Sequence, residues 1–305
     1  MPYAIVDVES TRPKAQSVTV SMPVIVVVFL VVLFVSNGEA RAAWDEISPA
    51  IRVQSQSAPA SANVLSEHHL EALNGMSAQA QAEFLLERSI NHYDGANREI
   101  ERRVRSWRGK IEPSDHFEAL FRMAINSDDL RVRAIAIELD IVARRLEKSA
   151  ETVERLELIA RSGAQGPRAN ALWDLGLIGG RGVEQAHIAE IIEASVHDDN
   201  VNVRYWAVEG LAYLATDEVI EPLLEILHND PSPMIRERAA CSLSQSGMLN
   251  REQRAKAVPR LLDYAGDFSL DERTRGWVFQ ALRDITGQTL PRDPSAWRQW
   301  YERRR

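Results

Sequence analysis

Seven histidines, one cysteine and one glycine-rich turn are the residues of this 305-residue chain whose types could support catalysis or metal binding. The histidines are His68, His69, His92, His116, His187, His197 and His228. A zinc protease helix needs two imidazoles one turn apart with a glutamate beside the first, as His-Glu-x-x-His, and no histidine here precedes a Glu. His197 and His228 fall near predicted helix ends, where an imidazole can meet the terminal carbonyls. Cys241 sits in Ala239-Ala240-Cys241-Ser242-Leu243, which reads as a small apolar residue on a packed helix. Nothing nearby in sequence would lower its pKa, as a nucleophile requires. As the only cysteine it allows no intrachain disulfide. The amides of Gly179-Gly180-Arg181-Gly182 could cradle an anion. That run lacks the Lys-Ser/Thr of a phosphate loop and follows no predicted strand, so a tight turn between helices is expected. No Gly-x-Ser-x-Gly turn occurs either. The expectation is a chain with no catalytic residue, no metal and no cofactor.

Two sets of arginines remain. Arg102, Arg103, Arg105, Arg108 and Lys110 surround Trp107, with Glu99 and Glu101 as partial neutralisers. A basic surface beside an aromatic could meet anionic envelope polymers, lipid headgroups or an acidic partner, so Arg102, Arg103, Arg105, Trp107 and Arg108 form a candidate binding patch. The bland reading is a solvated helix face. The tail Arg303-Arg304-Arg305 adds to the basic character. The second set is periodic: Arg133, Arg168, Arg204, Arg236 and Arg275, spaced 35, 36, 32 and 39 residues apart.

That period belongs to the elements that must carry the arginines. Each Arg is followed three residues later by a small residue: Ala136, Ala171, Ala207, Ala239 or Val278. Four residues further stands Leu175, Leu211, Leu243 or Leu282, with Asp140 as the exception. Spacings of three and four put these positions on one helix face. The small residue lets a neighbouring helix approach, and the Leu fills the space beside it. A second amphipathic helix follows each, most clearly Glu218–Asn229. Asp230-Pro231-Ser232-Pro233 ends that helix and starts the next repeat, since Pro breaks a helix interior but suits its first turn. Such hairpins hide their apolar faces only by stacking. Asp198, Asp199, Asp230 and Asp271 lie just before three of the arginines.

These Asp-x-x-Val-Arg-like elements resemble HEAT repeats, over roughly residues 127–290. The ending Thr286-Gly287, then Asp293-Pro294-Ser295-Ala296-Trp297, is similar to that of a group of bacterial HEAT-repeat proteins. The resemblance implies an all-α, HEAT-like α-solenoid, a right-handed superhelix of helical hairpins, and protein binding in general. Similar solenoids use such Asp and Arg residues as a ladder between neighbouring repeats, which is what the resemblance implies here. Some HEAT-like hydroxylases hold iron through His-Glu dipeptides, which this chain lacks. The predicted organisation is an export segment at 1–42, a flexible linker at 43–62 and an N-terminal helical segment at 63–126. The repeats at 127–290 follow, and then a C-terminal capping helix at 291–305. In the N-terminal segment Ser77, Asp94 and Ser114 are the expected caps. In the last helix Asp293 caps, Pro294 takes the first position, and Trp297, Trp300 and Tyr301 cover the end of the stack.

The apolar run Val24–Val35 has twelve residues, short of the ~20 that span a bilayer. Ala40-Arg41-Ala42 follows it, as at a signal-peptidase site with cleavage after Ala42. The alternative is an inner-membrane anchor formed by residues 24–35, and translation from Met22 rather than Met1 is also open. Removal of residues 1–42 leaves the net charge at -8. That acidity speaks against nucleic acid, which attracts basic surfaces. It also opposes a HEAT-like DNA glycosylase, as does export. The leading expectation is a periplasmic or secreted, non-catalytic scaffold for a protein or envelope component. Its presenting face is expected to come from the second helices, with Glu190, Glu193, Glu221 and Glu225 upon it. The alternative is an enzyme with a dispersed active site, which requires a deep pocket of converging ionisable groups.

Overall fold

A computed structural model describes residues 63–304. Val24–Val35, Ala40, Ala42 and the linker up to residue 62 lie outside the described residues. No described helix is long and apolar enough to cross a membrane.

Among the described residues there are fifteen α-helices and no strand beyond an isolated bridge from Val64 to Asp94. The N-terminal segment holds α1 (Glu67–Asn74), α2 (Ala78–Ile90), α3 (Ala96–Arg103) and α4 (Asp115–Ile125). The helices that carry the periodic arginines are α5 (Leu130–Ala143), α7 (Gln165–Gly179), α9 (Val201–Leu214), α11 (Pro233–Ser244) and α14 (Glu272–Thr286). Between them lie α6 (Ala150–Ser162), α8 (Gln185–Glu193), α10 (Ile220–Asn229), and the short pair α12 (Arg251–Lys256) and α13 (Val258–Ala265). The last helix is α15 (Pro294–Glu302).

Local chemistry sets most of these starts. Ser66, Ser77, Ser114, Asp129, Ser149, Asn200, Asn250, Asp271 and Asp293 each accept a backbone N–H of the first turn through the side chain. Pro233 and Pro294 take the first-turn place where no N–H is needed. The expected cap at Asp94 is displaced by one residue. Gly95, at φ 91°, occupies the cap position, and the Asp94 carbonyl accepts the amide of Leu65 at 3.0 Å instead. The chain therefore turns more sharply there than an Asp cap allows.

Helices of this length are marginal alone, so packing decides their persistence. One apolar core runs from Leu65 to Trp297 without a break. The N-terminal helices continue the stack, with α2 and α4 packed on α5. The Arg-bearing helices lie directly on one another in series, α7 on α9, α9 on α11 and α11 on α14, whereas the second helices stand further apart. Gly176 and Gly210 make the closest crossing possible. A Cβ on Gly176 would lie 2.5 Å from the Gly210 carbonyl oxygen and 2.6 Å from its Cα. Trp297 of α15 is fully buried and donates its indole N–H to the Pro291 carbonyl at 2.9 Å.

Candidate binding cleft

The periodic arginines diverge according to what stands across the next repeat boundary. Arg168 pairs with Asp198, Arg204 with Asp230, and Arg236 with Asp271. The rungs also connect lengthwise. The Asp198 carbonyl accepts Arg204 Nη1 at 2.8 Å, and the Asp230 carbonyl accepts Arg236 Nη1 at 2.7 Å. Asp198 and Asp230 thus each receive one guanidinium on the side chain and the next on the backbone. The Arg204–Asp230 rung is bidentate, with Nε to Oδ2 at 2.8 Å and Nη2 to Oδ1 at 3.2 Å, and both residues are buried.

Arg133 and Arg275 are not rungs. Arg275 lies over the Phe268 ring at 5.2 Å. Arg133 is buried and donates to the Ser127 carbonyl and, at 2.6 Å, to the Gly247 carbonyl, 114 residues further along the chain. Gly247 can receive it because the loop after α11, with Gly247 at φ +69°, lies against the end of α9: a Cβ there would come within 2.4 Å of the Ala212 carbonyl. The backbone continues the contact, with Met248 N–H to Ala212 O at 2.8 Å.

This reach across the Arg-bearing helices encloses a cleft of about 790 Å³. Its walls come from three separated segments. Asn126, Asp128, Leu130 and Arg133 lead into α5, Arg238 to Arg254 run from α11 to α12, and Asp284 to Gly287 end α14. Arg254 crosses the floor and donates to the carbonyls of Gln245, Ser246 and Leu249. Burial, with Arg133 beside it, brings its pKa down to about 10. Burial also lowers that of Arg133. Asp284 is held by Gln245 Nε2 at 2.7 Å and Gln280 Nε2 at 2.8 Å rather than by an arginine. Cys241 lines the cleft, half-buried, and burial pushes its thiol pKa up, the reverse of what a nucleophile needs. No histidine lines this cleft. Its converging groups suit binding by hydrogen bonds and charge better than proton transfer.

Below the cleft lies a row of buried ionisable groups. Glu209 of α9 pairs with Arg238 of α11, and Tyr213 packs against Trp173 at 4.8 Å. Asp140, which replaces the repeat Leu, pairs with Arg144 at 2.8 Å. Arg144 Nη1 also lies 3.6 Å from Asp174. Burial raises the Asp174 carboxyl to about 6 in spite of Arg144.

The structure takes the aromatic out of the basic patch read from sequence. Trp107 is 2% exposed and donates to Gln81 Oε1 at 3.3 Å. Arg102 and Arg103 both turn to Glu99, at 3.0 and 3.2 Å. Arg108 reaches the Leu146 carbonyl at 2.6 Å and Glu147 at 3.2 Å, which leaves Arg105 exposed without an aromatic beside it. The helix turns its Trp into the core because a buried indole stabilises far more than an exposed one. His228 also departs from expectation. It bonds Asp267 at 2.8 Å and stacks on Tyr264 at 4.7 Å instead of meeting helix carbonyls. The Gly179–Gly182 turn has no free amides to offer: those of Gly180, Arg181 and Gly182 bond Gly176, Ile178 and Gly179. Among the described residues no cluster of His, Cys, Asp and Glu could hold a metal ion.

Close packing of α7, α9 and α11 puts the Arg-bearing helices on the inner side, and the second helices with Glu190, Glu193 and Glu225 on the outer. Glu221 there pairs with Arg260 at 3.2 Å. Arg238, Arg251, Arg254 and Asp284 were not legible as a site. Asp140, a charge at the repeat Leu position, was the one local signal of a polar interior.

Residues 152–244 and 188–283 match the family model for HEAT repeats. Among solved structures, an engineered protein is similar at 17% identity, covering 68% of this chain and 96% of its own, with a TM-score of 0.34. The karyopherin Kap121p, bound to the extreme C-terminus of the protein phosphatase Cdc14p, is similar at 13% identity. That similarity covers 83% of this chain and 27% of the karyopherin, with a TM-score of 0.38. No curated protein matches. The described residues form an all-α solenoid, and those from 152 to 283 match HEAT repeats.

Proposed function

We propose that this protein is an exported, non-catalytic scaffold whose inner cleft holds a segment of a protein partner in the cell envelope or outside the cell. The observation that carries the reading is the cleft itself. Residues from the start of α5, the end of α11 and the end of α14 converge on one polar recess, and two of its donors, Arg133 and Arg254, are held in place by backbone carbonyls. Fixed donors reduce the entropy lost on binding. Export rests on the apolar run Val24–Val35 followed by Ala40-Arg41-Ala42, with retention as an inner-membrane anchor as the alternative.

Two measurements test the reading. N-terminal sequencing of the protein from cell fractions is expected to return Ala43 as the first residue in the exported fraction. A photo-crosslinking residue at Gln245, which is exposed on the cleft wall, is expected to give a discrete protein adduct in cells. The same residue at Leu158, exposed on a second helix, is expected to give none. Failure to obtain any adduct at Gln245 would remove the scaffold reading. A start at Met1 in a cytosolic fraction would remove export.

A further inference from the structure

We propose that the ligand of this cleft is an acidic peptide segment, with its carboxylates seated on Arg133, Arg251 and Arg254. The proposal rests on the scaffold reading above and adds the chemistry of the partner. The chain as a whole carries a net charge of -8, yet four arginines and two aspartates line the cleft. It is a basic island in an acidic protein.

The arginines differ in availability. Arg168, Arg204 and Arg236 are committed to Asp198, Asp230 and Asp271 along the ladder, and Arg238 to Glu209. Arg133, Arg251 and Arg254 have no carboxylate partner among the described residues, although all three line the same recess. Arg133 and Arg254 are oriented by carbonyls alone. Burial lowers the pKa of Arg254 most, repulsion from Arg133 adds to the fall, and Asp284 partly opposes both. Arriving carboxylates would relieve that repulsion with charge-assisted hydrogen bonds, for which guanidinium geometry is suited.

The rest of the lining fits a peptide. Asn126, Ser244, Gln245 and Thr286 supply groups for backbone amides, and Leu130 and Ile285 supply apolar contact. A volume of about 790 Å³ is within the range of small-molecule sites, but those are mostly apolar. Nucleic acid needs a basic track that follows several phosphates, and here Asp128 and Asp284 bound the basic region on two sides.

The test is fluorescence anisotropy of the protein from Ala43 onward with a labelled synthetic peptide of alternating Glu and Ser, about twelve residues long. A Lys-Ser peptide, inorganic phosphate and a short DNA duplex serve as the other arms. Binding of the acidic peptide alone is expected, weakening as salt is raised. Arg251→Gln, at an exposed side chain, is expected to weaken it about tenfold, the effect of one charge-assisted bond. Arg133→Gln should do at least as much. Asp284→Asn, which removes a rim acid and needs no arginine to fold, should tighten binding severalfold. Arg102→Gln should leave it unchanged. The proposal is overturned if the acidic peptide does not bind at low salt. It is equally overturned if Arg251→Gln and Asp284→Asn leave the affinity unmoved, or if DNA or phosphate displaces the peptide at equal concentration. Should the Gln245 adduct form while the acidic peptide fails, the scaffold stands and only the partner's chemistry is wrong.

Discussion

Replacing Asp230 by Asn tests the ladder at its most buried rung. The Asp230 side chain is 3% exposed and that of Arg204 is 10% exposed. Oδ1 accepts the Ser232 amide at 2.7 Å, and Oδ2 accepts Arg204 Nε at 2.8 Å. The amide oxygen of Asn will keep the Ser232 bond, so its NH2 group must face the guanidinium. A buried cation then confronts a donor. Removing one partner of a buried pair costs about 3–5 kcal/mol. Arg204 retains its Nη2 bond to that amide oxygen at 3.2 Å and its bond to the Asp198 carbonyl at 2.8 Å, which places the loss near the lower end, about 3 kcal/mol. For a chain of this size that is a fall in Tm of about 6–12 °C. Asp271→Asn is the internal comparison. It breaks the same motif with Arg236, but Asp271 is 51% exposed, and Asn can still cap α14. Exposed pairs contribute about 0–1 kcal/mol. Urea unfolding followed by far-UV circular dichroism, with both variants side by side, should give the order Asp230→Asn well below Asp271→Asn. Equal losses, or a greater loss at Asp271, would refute the claim that burial decides the strength of each rung.

Three further outcomes follow from the packing. Gly176→Ala should destabilise by about 1–3 kcal/mol through overpacking, although Ala is the better helix former by about 1 kcal/mol. Gly276→Ala, whose Cβ would meet only the Arg292 guanidinium at 3.5 Å, should be neutral or stabilising in the same thermal melts. Burial pushes the Asp174 carboxyl up to about 6 from the 3.8 of a free aspartate, so the folded chain holds the proton more tightly. Its stability contribution is complete below about pH 4 and is lost as pH rises through about 6, a span of up to about 3 kcal/mol. Asp174→Asn should therefore raise neutral-pH stability and flatten the change in urea midpoint across that window. Trp297→Ala should cost about 3–5 kcal/mol. It should also raise amide exchange first in α14 and α15, since the cap shields the end of the stack.

Much of the fold was legible because it depends on neighbours within a repeat. Ser77, Ser114 and Asp293 cap helices through bonds two or three residues away, so sequence alone locates them. The spacing from Arg to small residue to Leu marks one face of α7, α9, α11 and α14, and Pro233 and Pro294 mark the starts of α11 and α15. Asp94 failed as a cap because the bridge to Leu65 is a contact between segments, with no local signature. The ladder was half legible. Its residues recur at the repeat period, but only the coordinates distinguish Arg204, which faces Asp230, from Arg275, which faces Phe268.

Sequence by itself determined that helices form, where they start and which stripe of each must be hidden. These follow from caps, proline geometry and apolar spacing, all of which act over a few residues. Tertiary structure alone decided which helices line the inner side, that Trp107 is buried, and that Arg133 meets a loop 114 residues away. Those outcomes depend on the angle between successive repeats, which is set by side-chain volumes and by close approaches such as that of Gly176 to Gly210. Small differences at each junction add along the stack, so a cleft between distant repeats is a property of all the junctions together.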